Sequence, residues 1–479
     1  MQKLLEKYHI IFVLLLYFVI TLVFTYPVIL KFNSEIPKWG SDTYQVVGNI
    51  QASANILKSA GPWHGITSLI KTFNVNIFTP YAVLNLFFNK FTAYNILFFF
   101  SFVMSGLGMY LLALHVTKNK LAAFIAGIIF AFSPFHIHQS LSTNVGTMHQ
   151  EWLPFFALFM IRFFEGFKLK FFVLTLFFAL CIAVTEHQFL AFTTLFAGVV
   201  IVYQFITRRE LIRNKKLWAY LASSFAFLII LLLTIFRSLF TVATSGDNYL
   251  NAGIGQAKRY SMHFFDPVAP PLFNPLWPKL NGVIQSILHT GLSKTDSYFI
   301  GFSVLALLIY LVVILLSRAK KEAISQTDRK NIMFWLIAFG IFYIFSLGPV
   351  KDIGTHQLYL PYYPIYKFVP FFENIRTTGR IFVIAMMAIS VLAALGIDPI
   401  LKKIKKDKIL FVAAFSLVVL LEFSAWPIST VNMAYSSFYD NIAKDKEPYK
   451  LLEIPGSTSY DYASFEIFTN TIHTKKVVN

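Results

Sequence analysis

The sequence predicts an all-α polytopic membrane protein with about eleven transmembrane helices, and three observations predict it. The chain is 57% hydrophobic and only 13% charged, a composition that a water-soluble globule does not have. Its apolar residues are gathered into blocks of the length a helix needs to cross about 30 Å of hydrocarbon. Every second connection between blocks is basic, as expected of cytoplasmic loops.

In order, the blocks are 10–30, 92–116, 121–136, 152–167, 171–185, 189–206, 217–240, 298–316, 333–347, 381–397 and 409–426. The fourth and fifth lie near the lower length limit. Lys3 and Lys7 precede the first, which has the shape of a signal sequence, but no small-x-small cleavage site follows before Tyr26–Pro27. We read it as a retained helix. Basic groups such as Lys118/Lys120, Arg208/Arg209 with Lys215/Lys216, and Lys402–Lys408 then fall on the side of the N-terminus. Orientation therefore explains almost the whole +18 charge, with the N-terminus inside and the C-terminus outside. A pI near 9.6 is not a nucleic-acid signal, because no soluble module carries a basic patch interleaved with aromatics. The single cysteine, Cys181, lies within a predicted span and reads as a small buried hydrophobe, so no disulfide framework is available.

The outward connections, 31–91, 241–297 and 348–380, are long, and their Phe, Tyr, Trp and Pro content argues against disorder. The stretches 77–88 and 284–288 are apolar but too short to span, which suits helices lying in the interface. Residues 1–428 form the transmembrane domain in this reading. Residues 429–479 begin a small extracytoplasmic α+β segment from about Tyr449, whose last strand reads as cut short.

Polar chemistry concentrates on the outer side. His64, His136, His138, His149, His187, His263, His289, His356 and His473 fall there, with Asp42, Glu151, Glu186, Asp247, Asp266, Asp296, Asp352 and Glu373. The spans are nearly free of charge apart from Glu422, which disfavours a transport path through the midplane.

The order of motifs resembles the GT-C class of membrane glycosyltransferases, specifically its poorly characterised bacterial and archaeal members. The motifs are TYP at Thr25–Pro27, GSDTY at Gly40–Tyr44, AYNILFFFS at Ala93–Ser101 and LAAFIAGIIFAFSPFHIHQ at Leu121–Gln139. WLPFFAL at Trp152–Leu158, FFDPVAPPLFNPLW at Phe264–Trp277 and YFIGFSVLALL at Tyr298–Leu308 follow, then FSLGPV at Phe345–Val350 and VPFFENIRTTGRIFV at Val369–Val383. The resemblance implies sugar transfer from a polyprenyl-phosphate donor to a glycan, lipid or protein acceptor, outside the plasma membrane and among membrane lipids. It places Asp42 where the class carries an acid in its first outer loop. A carboxylate there would accept the proton of the attacking hydroxyl, or hold a divalent cation, Mg or Mn, against the leaving phosphate. No other cofactor is implied.

A lipid phosphate calls for fixed positive charge, and Arg376 and Arg380 are the candidates. Each assignment has a plain rival: Asp42 as a turn residue, and the two arginines as headgroup anchors. His149/Glu151 and Glu186/His187 would meet if blocks four and five form a tight hairpin, as metal or substrate contacts or as hydrogen-bonded rim pairs. His136 and His138 follow Pro134, where a proline permits a sharp exit; they are candidate contacts for a substrate phosphate or sugar hydroxyl, or residues of a solvated loop. A lipid-linked saccharide flippase and an inactive scaffold are the competing functions. Glu422 meeting His115 in a wet cavity would favour the flippase.

Overall fold

The computed structural model describes residues 8–38, 43–61, 75–234, 253–288, 296–317, 326–354, 356–369, 372–433, 435–445, 447, 450–452, 460–473 and 476–478. The helices are α1 (His9–Phe24), α2 (Thr43–Ala60), α3 (Val75–Leu84), α4 (Lys90–Thr117), α5 (Lys120–Ala131), α6 (Pro134–Leu141) and α7 (Val145–Met148). They continue with α8 (Trp152–Gly166), α9 (Leu169–Thr185), α10 (His187–Thr207), α11 (Lys215–Thr234), α12 (Gly253–Arg259), α13 (Pro278–Leu288), α14 (Phe302–Leu316) and α15 (Gln326–Ser346). The last are α16 (Tyr363–Phe368), α17 (Phe382–Lys403), α18 (Lys408–Phe423), α19 (Phe438–Lys444) and α20 (Tyr460–His473).

Every apolar block of the sequence holds a helix. Among the described residues four stretches are long and apolar enough to cross a membrane, Lys90–Thr117, Lys120–Leu141, His187–Thr207 and Thr378–Lys403, and α1, α9 and α14 are shorter apolar helices. The fold is mainly helical rather than wholly so. Three two-stranded sheets occur, β1 (Ile36–Pro37) with β4 (Thr430–Val431), β2 (Val350–Ile353) with β3 (His356–Tyr359), and β5 (Lys450–Leu452) with β6 (Lys476–Val478). Strands of two to four residues leave no periodic trace in a sequence.

Pro134 departs from its expected role. It opens α6 instead of a loop, since the first helical position needs no N–H, and Ser133 Oγ accepts the His136 amide at 3.4 Å. His136 is consequently fully buried rather than solvated.

Contacts divide the chain into two units, one of residues 1–20, 101–137 and 150–425, the other of 21–100, 138–149 and 426–479. The first unit is built on α17. Its sequence, FVIAMMAISVLAALGI, is apolar around the whole circumference, and its membrane-length window is entirely buried. It packs against α5, α14 and α15. Without water to drive association, helices in lipid rely on close fit at small residues. Gly396 supplies one such place, where an added Cβ would sit 3.2 Å from the Leu307 carbonyl. At the far end Asn119 accepts the Leu121 amide as the cap of α5 and donates to Asp398 of α17 at 2.7 Å.

Tyr17 is the second anchor. Its ring is fully buried and stacks on Phe124 at 5.1 Å, while its hydroxyl donates to the Phe124 carbonyl at 3.0 Å. Gly106 and Gly127 make room for it: a Cβ at the first would meet the ring at 2.9 Å, and one at the second would meet Cζ at 2.6 Å.

In the second unit α20 lies along α2. Gly48 permits the approach, because a Cβ there would fall 3.0 Å from the Phe468 Cα. Tyr44 and Tyr435 edge onto the Phe468 ring, and Lys90 Nζ sits 4.4 Å above it. β5 and β6 are parallel, with α20 as the crossover between them.

Gly127→Ala is expected to lower stability by roughly 1–3 kcal/mol through overpacking against Tyr17. Thermal unfolding of the detergent-purified protein checks it, and Tyr17→Ala in the same chain is expected to recover part of the loss.

Candidate active site

The turn that feeds α17, Thr378–Ile381, is fixed residue by residue within the first unit. Thr377 Oγ1 donates to Gln188 Oε1 at 2.8 Å, tying it to the start of α10. Thr378 Oγ1 donates to the Ala257 carbonyl at 3.0 Å, and the Gly379 amide donates to the Tyr260 carbonyl at 3.1 Å. Gly379 has no room for a side chain, since a Cβ would run into the Tyr298 hydroxyl, with Cζ at 2.9 Å. The glycine lets the Tyr298 ring lie against the turn.

Arg380, the next residue, faces Asp296 at 3.9 Å. The Asp296 side chain is 1% exposed and that of Arg380 16%, so this is an ion pair largely withdrawn from solvent. The other Asp296 oxygen accepts from the Tyr298 hydroxyl at 3.1 Å. Tyr298 thus serves as a hydrogen-bond donor to a buried carboxylate. The contact at 3.9 Å is too long for a hydrogen bond, and among the described residues the buried Arg380 Nε has no hydrogen-bond partner. Arg380 thus keeps donor capacity in reserve.

Glu186 adjoins this group. It caps α10 by accepting the Gln188 amide at 3.0 Å. Burial raises its carboxyl, and the capping amide and Arg380 pull it back down. A second cation lies alongside. Lys351 donates to Ser261 Oγ at 2.7 Å and to the Met262 carbonyl at 2.9 Å, and burial brings it down to about 8 against the pull of Asp266. Lys258 pairs with Asp352, and Asp266 accepts the His263 amide at 2.7 Å. Gly348, at φ +86°, leaves space for Ser261 beneath Lys351. The result is a cluster of three cations and four carboxylates around a buried phenol.

Of the residues singled out from the sequence, Arg380 and Glu186 belong to this cluster. Arg376 is exposed and outside it, and Asp42 lies outside the described residues, next to the start of α2 at Thr43. His187 is the first residue of α10. His136 stacks on Phe102 at 4.2 Å and holds Ser101 and the Ala131 carbonyl, a packing role. Glu151 is fully buried at the start of α8, and α8 and α9 do form the expected hairpin. In the second unit, His149 meets the Tyr81 hydroxyl at 2.7 Å, and His138 is half-buried on α6. Among the described residues no three His, Cys, Asp or Glu side chains converge as a metal site. Glu422 is occupied in capping α14, accepting from Ser303 Oγ at 2.7 Å, and His115 pairs with Glu165 at 2.7 Å, so the two do not share a cavity. Tyr298, Lys258 and Lys351 escape a reading of the sequence, and Asp296, Asp266 and Asp352 appear there only among the carboxylates of the outer side. The one signal was a lysine directly after the apolar FSLGPV string.

The model of a family described as "Domain of unknown function (DUF6311)" matches residues 79–422. Among solved structures, the chain is similar to the crystal structure of the Archaeoglobus fulgidus oligosaccharyltransferase in the apo form, with a TM-score of 0.50 and 13% identity. The match covers 98% of this chain and 64% of the archaeal one, so the chain spans less than two thirds of that protein's length. At this identity the likeness is one of fold. No curated protein matches the sequence.

Asp296→Ala, which strands Arg380, is expected to cost roughly 3–5 kcal/mol, and Asp296→Ala with Arg380→Met less than that, measured by unfolding in detergent. Folding also depresses Lys351 from 10.5 to about 8, so the unfolded chain binds the extra proton between these values. The lysine's contribution to stability therefore rises with pH from about 8 toward 10.5. Lys351→Met is expected to remove that part of the pH dependence of the unfolding temperature.

Proposed function

We propose, from the premise that this chain belongs to the family of the domain of unknown function DUF6311, that it is a membrane glycosyltransferase. It takes sugar from a polyprenyl-phosphate donor and passes it to a glycan, lipid or protein acceptor outside the plasma membrane. The observation that carries this reading is Arg380, a largely buried arginine at the start of the central helix whose Nε–H has no hydrogen-bond partner among the described residues. The fold shared with an oligosaccharyltransferase supports it.

In this reading Arg380 binds the donor phosphate and stabilises the charge that grows on it as the glycosidic C–O bond breaks. Lys351 adds a second positive charge. The acceptor hydroxyl oxygen bonds to the anomeric carbon, the polyprenyl phosphate leaves with the electron pair, and the hydroxyl proton passes to the Asp42 carboxylate. Arg376 is a further contact for the donor phosphate from its exposed position. A divalent cation, Mg or Mn, with Asp42 as a ligand is part of the same proposal, and no step is derived through it.

Transfer of labelled sugar from a synthetic polyprenyl-phosphate donor by the purified full chain tests the reading. Arg380→Gln is expected to raise the donor KM about tenfold or more, the loss of a charged hydrogen bond worth roughly 1.5–3 kcal/mol. Asp42→Asn is expected to lower kcat by roughly 10²–10⁴ with KM little changed. Normal transfer by Asp42→Asn removes Asp42 from the mechanism, and a folded protein that releases no polyprenyl phosphate overturns the proposal.

A further inference from the structure

Helices α8, α9, α10 and α11 enclose a cavity of about 350 Å³, within the roughly 300–1,000 Å³ range of ligand pockets. Its wall is apolar, with Phe156, Phe164, Phe172 and Leu231 among the lining side chains. Phe225, which also lines it, is 65% exposed, so the cavity opens sideways onto an apolar outer surface. Along α10 the lining runs from Leu190 to Ile201, about 16 Å at 1.5 Å per residue. That is close to one leaflet of a bilayer whose hydrocarbon is about 30 Å thick. The hydroxyls of Thr175, Thr194 and Ser224 are returned to their own helices, bonding the carbonyls of Phe171, Leu190 and Tyr220. Thr193 Oγ1 is buried without a partner.

One end of the cavity is ringed with positive charge. Phe164, Phe172 and Tyr220 mark that end, where α8 carries Arg162, α11 carries Lys215 and Lys216, and the connections carry Lys168, Arg208 and Arg213. Arg208 donates to the Phe164 carbonyl at 2.8 Å, so it stands at the lip. Glu210 beside Arg208 and Glu165, held by His115, offset only a part of this charge. An apolar slot one leaflet deep beneath a basic collar complements a lipid with an anionic headgroup.

We propose that this cavity holds one acyl chain of an anionic glycerophospholipid, with its phosphate in the basic collar. The collar lies at the end of α10 opposite to Glu186 and Gln188, which adjoin Arg380, and the inference does not rest on the proposed reaction. The same chemistry, a phosphate on a long hydrocarbon chain, is shared by isoprenyl phosphates, and the experiment separates the two.

The test is native mass spectrometry of the full chain from detergent, incubated with phosphatidylglycerol, phosphatidylcholine or an isoprenyl phosphate. Phosphatidylglycerol is expected to be retained at least tenfold better than the other two. A side chain built at Gly198 meets nothing within 4 Å and lines the cavity, so Gly198→Phe is expected to fill the slot and abolish retention at an unchanged unfolding temperature. Ala197→Leu serves if that variant does not fold. Lys168→Gln, Lys215→Gln and Lys216→Gln, all at exposed positions, are each expected to weaken phosphatidylglycerol retention roughly fivefold, about 1 kcal/mol per charge, and to leave phosphatidylcholine unaffected. Thr193→Val is expected to change nothing, since a hydrocarbon asks nothing of that hydroxyl. Unaltered retention by the filled variant, equal retention of both phospholipids, preference for the isoprenyl phosphate, or loss of binding in Thr193→Val overturns the proposal.

Discussion

The first unit depends on the burial of one helix, Phe382–Lys403, on every side. A helix sheathed in this way has no freedom to slide or rotate without breaking contacts with several neighbours together. Whatever is bonded to its start inherits that rigidity. Thr377 is pinned to the start of α10, and Thr378 and Gly379 to α12 and the residue that follows it, so Arg380 is presented in one position relative to Asp296 and Tyr298. In the proposed reaction, a charge that meets the leaving phosphate gains from being set before the substrate arrives, because little reorganisation is then left.

The electrostatics of the cluster fit a resting state that is held together without being closed. The Asp296 carboxylate is divided between the Tyr298 hydroxyl and Arg380, and the longer of the two contacts is the ionic one. In the proposed reaction, an incoming donor phosphodiester, a monoanion, would therefore compete for the guanidinium without first having to break a short hydrogen bond. Glu186 keeps the same arginine company from the start of α10, where burial raises its carboxyl and the Gln188 amide and Arg380 pull it back down. The acids lower the cost of burying positive charge, and the unmatched Nε–H leaves the site receptive.

The helices were readable from the sequence because a lipid-facing segment has to satisfy its backbone internally, which forces long uninterrupted apolar blocks. All eleven such blocks are helical. The error at Pro134 came from a residue with two meanings, since proline both stops a helix and starts one. Arg380 stood out, together with Arg376, because the donor phosphate implied by the resemblance calls for fixed positive charge. Asp296 appeared only among the outer carboxylates, and Tyr298 and Lys351 not at all, because the stretch that carries Asp296 and Tyr298, the strand that carries Lys351 and the turn that carries Arg380 lie far apart in the chain, and no spacing records their meeting. Gly379 could be read only as a turn residue. That it makes way for a phenol is a fact of three dimensions.

The contact of α20 with α2 in the second unit bears on how the protein is made. Phe468 is seated on Gly48, so α2, which already packs on α3, is covered on its other side by residues encoded much later in the chain. Until then α2 presents an incompletely covered face. Completion of that region thereby waits for the segment that carries α20, and a chain stalled or clipped before it would assemble the helices around α17 while leaving α2 unfinished.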